Sequence, residues 1–284
     1  MKTAEIRIRD PFVLYDKKDK KYYMYGTNNS FELGFYAYSS DDLNEWSGPF
    51  KVFSPSHTFW GTQDFWAPEV FNINDEYFMF ASFKSKDHCR GCQILKSASP
   101  LGPFLPHSDI VTPKNWECLD GSLYFLNEKP YLIFVHEWLQ IGDGEICIIE
   151  LSKDLKQSVG SPKTLFKASE ASWSKHPNWY HENINVCDGP FVVYDENKFP
   201  LLLWSSFLED TYDIGYSYSD ESLINGKFEH SKNPIPIKDA GHGMVFEGIN
   251  KEKYLCLHAS NSISGHEYPV FIPIMIKNKE ISLK

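Results

Sequence analysis

Along this chain a short apolar strand, a polar turn and a second apolar strand recur five times. The copies open at Asp10 (DPFVLYDKKDKKYYMYGT), Ala67 (APEVFNINDEYFMFASF), Asp120 (DGSLYFLNEKPYLIFVHEW), Asp188 (DGPFVVYDENKFPLLLWSSF) and His242 (HGMVFEGINKEKYLCLHAS), at spacings of 57, 53, 68 and 54 residues. Further strand-like segments follow, such as FYAYSSDDLNEWSGPF and IGYSYSDESLINGKF. In them a strand of small and aromatic residues runs into an Asp, Ser or Pro turn, and a Gly starts the next strand. Each repeat therefore supplies about four strands, and a period of this size built from hairpins predicts the blades of a β-propeller. The predicted fold is all-β: one five-bladed β-propeller domain over residues 1–284, with four antiparallel strands per blade. The fifth repeat ends in EISLK and has material for its own four strands, so no strand needs to be exchanged between the termini. Residues Ala4 to Ile8 are available to add an edge.

Composition supports this packing. Hydrophobic residues make up 42% and aromatics 16% of the chain, which suits strands packed face to face between blades. No stretch approaches the roughly 20 apolar residues of a membrane helix, and no membrane partner is expected. The N-terminus, MKTAEIRIRD, enters the first strand without an apolar signal segment, which predicts a cytoplasmic protein. The net charge of −10, with no long basic run, argues against a nucleic-acid surface. Among the six cysteines only HCRGC has ligand-like spacing, and it lacks the second pair that a zinc site needs. Reduced, mostly buried thiols are expected.

Inner strands of a propeller run along the central channel in one direction, so equivalent repeat positions gather at one mouth. Asp10, Asp120, Asp188 and His242 are therefore expected to face one another there. The second strands return to the same mouth and end in Thr27, Phe83, the His136-Glu137-Trp138 cluster, Ser205 with Ser206, and His258. Phe65 and Trp66 precede the second repeat, and Glu69 follows its start. Carboxylates around an aromatic-walled funnel are what glycoside hydrolysis requires: one acid protonates the leaving oxygen, and another activates water or attacks carbon. Aromatic faces supply a platform for a sugar ring. Crowded like charges raise the pKa of one member and keep it protonated near neutrality. Any one of these Asp residues is equally readable as a turn residue, whereas three at one repeat position point to chemistry.

Taken together, RDPF (Arg9 to Phe12), FWAPEV (Phe65 to Val70), LDGSLY (Leu119 to Tyr124), CDGPF (Cys187 to Phe191) and GHGMVF (Gly241 to Phe246) resemble glycoside hydrolase family 43 over essentially the whole chain. These are five-bladed propellers acting on arabinose- and xylose-containing polysaccharides. The resemblance implies Asp10 as general base and Asp120 as modulator of the acid's pKa. It also implies inversion, with the two reacting carboxyl groups roughly 6.5 to 9.5 Å apart. The family's channel histidine, associated with calcium or a water network, maps onto His242. No cofactor is required beyond that possible channel calcium. Where the family has Glu-Gly-Pro, this chain has Asp188-Gly189-Pro190, one methylene shorter. Either Asp188 itself reaches the glycosidic oxygen, or Glu137 donates the proton and Asp188 contacts substrate; the otherwise unexplained HEW cluster favours Glu137.

Phe65 and Trp66 are expected to wall the terminal sugar subsite and Trp138 to extend it, with Glu69, Ser205 and His242 contacting substrate. The insertion from Ala171 to Val186 is expected to fold over the mouth on the leaving-group side. The sequence thus predicts an inverting exo-glycosidase acting on an oligosaccharide, foremost an α-L-arabinofuranosidase on plant-derived arabino-oligosaccharides. A β-D-xylosidase or galactofuranosidase is the alternative within the family, and a catalytically inactive carbohydrate-binding propeller the alternative of another class. A protein-interaction propeller would not need carboxylates in its funnel.

Overall fold

A computed structural model describes residues 1–28, 32–180 and 183–284. The first blade comprises β1 (Arg9–Asp16), β2 (Lys21–Thr27), β3 (Phe35–Ser40) and β4 (Trp46–Phe53). The second comprises β5 (Gln63–Ile73), β6 (Glu76–Ser85), β7 (His88–Ser97) and β8 (Leu105–Ile110). The third holds β9 (Cys118–Leu126), β10 (Lys129–His136), β11 (Glu145–Leu151) and β12 (Ser158–Lys167), with a short helix α1 (Trp138–Ile141) between β10 and β11. The fourth is β13 (Asp188–Tyr194), β14 (Pro200–Leu208), β15 (Thr211–Ser219) and β16 (Phe228–His230), and the fifth β17 (Ala240–Glu247), β18 (Lys253–Ala259), β19 (Tyr268–Lys277) and β20 (Glu280–Leu283). Each blade is a four-stranded sheet in chain order. The inner strands β1, β5, β9, β13 and β17 contact one another around the channel. This is a five-bladed β-propeller. No helix among the described residues is long and apolar enough to cross a membrane.

Apolar side chains fill the wedges between blades. Phe134, Phe80 and Ile94 pack between the second and third, Trp204, Phe166 and Trp173 between the third and fourth, and Leu203, Ile214 and Leu255 between the fourth and fifth. At roughly 1.5–3 kcal/mol for each such side chain, this interblade burial is what holds the ring. The fifth blade takes all four strands from the C-terminal end and meets the first without strand exchange. Residues Thr3–Glu5 form a 3₁₀ turn rather than an edge strand, because their backbone bonds to Asn44 and Lys2 instead of to a sheet. The seam is sealed by the Ile8 N–H donating to the Glu267 carbonyl at 3.0 Å, an Arg9–Glu267 ion pair at 2.8 Å and Trp46 against Phe271. All six cysteines are free, and all but Cys89 are buried.

The inner strands share a device that positions the mouth. Each has a bulge near its start, and the residue there has a left-handed backbone: Asp10 (φ 52°), Ala67 (46°), Asp120 (56°), Gly189 (55°) and His242 (51°). Four of these are not glycine, so each holds strain of roughly 1–2 kcal/mol. The fourth repeat differs from the sequence expectation. Gly189, not Asp188, occupies the equivalent position, and Asp188 pairs with Ser205 as Arg9 pairs with Thr27. Asp188 therefore enters one residue earlier than Asp10 and Asp120 do.

Candidate active site

Backbone N–H groups at the bulges are tied to the preceding blade by its second strand. Thr27 Oγ1 accepts from Ala67, Ser82 Oγ from Asp120, Ser205 Oγ from His242, and His258 Nδ1 from Asp10, at 2.8–3.2 Å. The third blade breaks the series. Val135 stands at the equivalent position and cannot accept, so the Gly189 N–H donates instead to Asp120 Oδ2 at 2.9 Å. One hydrophobic residue in a ring of acceptors thus turns the Asp120 carboxylate towards the fourth blade. The expected substrate contact Ser205 is corrected by this arrangement: it is fully buried, outside the pocket lining, and spent on the His242 backbone.

The pocket, a cavity of about 500 Å³, draws on all five blades, with Asp10, Trp66, Asp120, Asp188 and His242 each contributed by a different one. His242 stands between two carboxylates, its Nδ1 3.2 Å from Asp10 Oδ1 and 3.7 Å from Asp120 Oδ2. Burial lowers the pKa of this imidazole, but Asp10, Asp120 and Asp188 outweigh it and hold His242 above its ordinary value. Burial pushes Asp10 up, yet His242 and Arg9 above all, and the Thr27 hydroxyl at 2.6 Å from Oδ2, bring it below the usual carboxylate range. His258 is neutral, because its Nδ1 accepts the Asp10 N–H; burial drives its pKa down to about 4, and its Nε2 faces Asn261. Its 3.6 Å approach to Asp10 Oδ1 is therefore not an ion pair.

Asp188 has the opposite environment. Burial first, and then the charge of Asp120, push its carboxyl up to about 7, against the pull of His242; the Tyr212 hydroxyl donates to Oδ2 at 3.2 Å. Asp120 is raised too, by burial above all and by Asp10, with His242 and the Gly189 N–H working against this. The carboxyls are thus pushed apart, with Asp10 ionised and Asp188 able to hold a proton near neutrality.

Glu137 is the residue before α1 rather than the end of a strand, and it is buried in the pocket wall. Its Oε2 lies 2.5 Å from Arg90 Nη1. Burial outweighs the opposing Arg90 charge and holds Glu137 above its ordinary value. Arg90 is itself buried, donates to Asp64 Oδ2 at 2.8 Å, and lies 4.2 Å over the Trp66 ring. One face of Trp66 is therefore covered by a guanidinium. Phe65 lines the pocket but is mostly buried among Phe35, Phe53, Phe59 and Phe83. Trp138 also lines the pocket.

Glu69 is a second correction. It lies outside the pocket lining, its carboxyl bonded to Ser122 and its pKa pushed well up by burial, with Oε2 lacking a hydrogen-bond partner. It is buried near Asp120 and Ser122 rather than open to the pocket. His242 Nδ1 is turned to two carboxylates, and among the described residues no three potential ligands are grouped to hold a metal. The residues present do not make the oxygen-rich cage that calcium takes, and no step below passes through a metal. Of the insertion, His181 and Glu182 lie outside the described residues; the remainder packs beside the mouth, with Tyr180 edge-on to Trp138.

Sequence reasoning missed Arg90, Tyr212, Arg9 and Asp64. Arg90 was hidden inside HCRGC, where the cysteines drew the reading, and Tyr212 sits on a third strand outside the hairpin repeat. The available signal was a lone Arg near the start of a strand, between two cysteines.

Residues 3–272 match Glycosyl hydrolases family 43. Among solved structures, the chain is similar to an endo-arabinase from Bacteroides thetaiotaomicron VPI-5482, at 39% identity and TM-score 0.93, covering 99% of this chain and 98% of that one. It is also similar to an endo-1,4-beta-xylanase from the same organism (25%, TM-score 0.79, covering 98% and 94%). An alpha-L-arabinofuranosidase from Lactobacillus brevis (18%, TM-score 0.76, covering 100% and 97%) shares the fold. No curated protein sequence matches.

Proposed function

The chain belongs to glycosyl hydrolase family 43 and is an inverting glycoside hydrolase, and from that premise we propose that it acts on arabino-oligosaccharides as an exo-α-L-arabinofuranosidase, with Asp10 as general base and Asp188 as general acid. The observation that carries the residue roles is the opposed state of two carboxyls in one pocket. Asp10 is brought down by His242 and Arg9, whereas burial and the charge of Asp120 hold Asp188 up to about 7 against the pull of His242. Water held by Asp10 attacks the anomeric carbon while Asp188 protonates the departing oxygen, and Asp10 takes the water's proton. Asp120 spreads the like charge that keeps Asp188 protonated, and the Gly189 N–H fixes its orientation. Of Asp10, Asp188 and Glu137, only Glu137 is tied to an arginine among the described contacts, and this fixed pairing with Arg90 suits a role in binding sugar hydroxyls better than proton donation.

A pit ringed by all five blades favours release of a terminal sugar. The name of the 39% identical relative supports arabinose-containing substrates and favours a second reading, internal cleavage of arabinan. The test is hydrolysis of aryl α-L-arabinofuranosides, aryl β-D-xylosides and linear arabinan by wild type, Asp10→Asn, Glu137→Gln and Asp188→Asn. Asp10→Asn is expected to lose about 10³-fold in kcat on every substrate. Asp188→Asn is expected to lose comparably on natural oligosaccharides and far less on aryl glycosides whose leaving group needs no proton. Selective recovery of Glu137→Gln instead would move the acid to Glu137. Early release of oligomers from arabinan would replace the exo reading, and sugar binding without any turnover would leave a carbohydrate-binding propeller.

A further inference from the structure

With Asp188 as acid, the departing sugar leaves over the edge where the third and fourth blades meet; the inference below rests on that reading. An aromatic row begins there. Trp138 lines the pocket, and Tyr180 meets it edge-on with ring centroids 5.7 Å apart. Trp179 follows at 5.8 Å from Tyr180 and packs against Phe207, near the mouth end of β14, at 5.3 Å. The rings are therefore continuous from the pocket wall to the outer rim. Trp179 is nevertheless 51% exposed, and Leu139, beside Trp138, is 54% exposed.

The exposure is built, because the backbone beneath is pinned on both sides. Asn178 donates from its N–H and Nδ2 to the two oxygens of Asp210, at 2.9 and 3.2 Å, and the Lys175 N–H donates to the Phe207 carbonyl at 2.7 Å. On the other side, the Asn185 N–H donates to the Gly142 carbonyl and the Gly144 N–H to the Asn185 carbonyl, both at 2.9 Å. These bonds tie the insertion to the β14–β15 turn and to the turn after α1. Two large apolar side chains kept in water, Trp179 and Leu139, at the edge of one pocket and on a hydrogen-bonded backbone make an exposed apolar patch of the kind that marks a binding surface. Its continuity with the catalytic pocket identifies what binds: the apolar faces of sugar rings, which stack on Trp and Tyr.

We infer that Trp138, Tyr180, Trp179 and Phe207 form a stacking platform for the leaving-group portion of a neutral oligosaccharide, reaching past the first sugar beyond the scissile bond. The platform makes chain length a specificity determinant. Short aglycones use Trp138 alone, and longer ones reach Trp179.

Affinity and turnover test this separately. In the Asp10→Asn background, the affinities of arabinobiose and arabinotetraose are measured by calorimetry with and without Trp179→Ala; in the wild-type background, kcat/KM is measured on an aryl arabinofuranoside and on the same oligosaccharides. Trp179→Ala is expected to weaken arabinotetraose by about five- to tenfold, the worth of one ring stack, and to change the aryl glycoside by less than about twofold. Trp179→Phe should recover most of the loss. Equal losses on every ligand, or no loss on arabinotetraose, would overturn the platform. A chain that binds arabinotetraose through Trp179 but cleaves nothing would lose the hydrolytic roles proposed above and keep the platform, because binding is read without turnover.

Discussion

Asp188 sits under two opposed demands. A general acid must hold its proton near neutral pH, and a buried carboxyl beside Asp120 does so at the expense of stability. Its pKa, about 7, stands above that of the same group in an unfolded chain. Between those two values the folded chain binds more protons than the unfolded one, so the stability tied to this group is present at low pH and is lost as pH rises towards 7. Asp188→Asn is accordingly expected to raise Tm by about 2 to 4 °C near pH 8, with little gain near pH 4, as read by thermal melts. The activity profile follows from the same pair. The alkaline limb of kcat/KM should fall near about pH 7 as Asp188 ionises, and the acid limb lies below the usual carboxylate range, where Asp10 takes up a proton. In Asp188→Asn, measured on an activated aryl glycoside, the alkaline limb should disappear; its persistence would assign that limb elsewhere.

At the level of the strand, the bulge and its acceptor matter more than the side chain they display. Gly189 is the only one of the five left-handed positions that is glycine, and a Cβ there would come within 2.9 Å of the His242 ring. Gly189→Ala combines backbone strain with that clash, so a loss of roughly 1–3 kcal/mol in denaturant melts is expected, together with impaired kcat as His242 is displaced. Ser205→Ala leaves the buried His242 N–H without its acceptor. About 1–3 kcal/mol of stability should be lost with KM nearly unchanged, which separates a structural serine from the substrate contact that its position in the repeat suggests. The repeat was legible because strand alternation is local. The bulge was not: a Gly and an Asp side by side leave open which of them takes the left-handed position, and the same pair resolves to Asp120 in the third repeat and to Gly189 in the fourth.

Across the whole molecule, the site depends on the seam between the first and fifth blades. Arg9 and Asp10 open the first inner strand, while His242, His258 and Glu267 come from the last blade, so the general base is completed only when the ring closes. Glu267 has its side chain almost wholly buried against Arg9. Glu267→Gln, which weakens that pairing, is expected to cost about 2–3 kcal/mol and to lower activity through Asp10, and the Tm and kcat of this variant check it. A surface variant such as Lys21→Ala, which removes an exposed pair with Asp41, should change neither measurably.

The alternation of apolar and polar positions, repeated at nearly even spacing, determined the five blades, the mouth at which their first residues meet, and the presence there of Asp10, Asp120 and His242. These are consequences of period and order, which a one-dimensional pattern carries. Only the tertiary structure decided the protonation states and the partners. The charges that set them, Arg90 against Glu137 and His242 between Asp10 and Asp120, come from different blades. It likewise kept Glu69 out of the pocket lining and gave Ser205 to a backbone amide, each beside a bulge at the start of an inner strand. Electrostatics and burial act through space, and blades distant in the chain become neighbours only once the ring has closed.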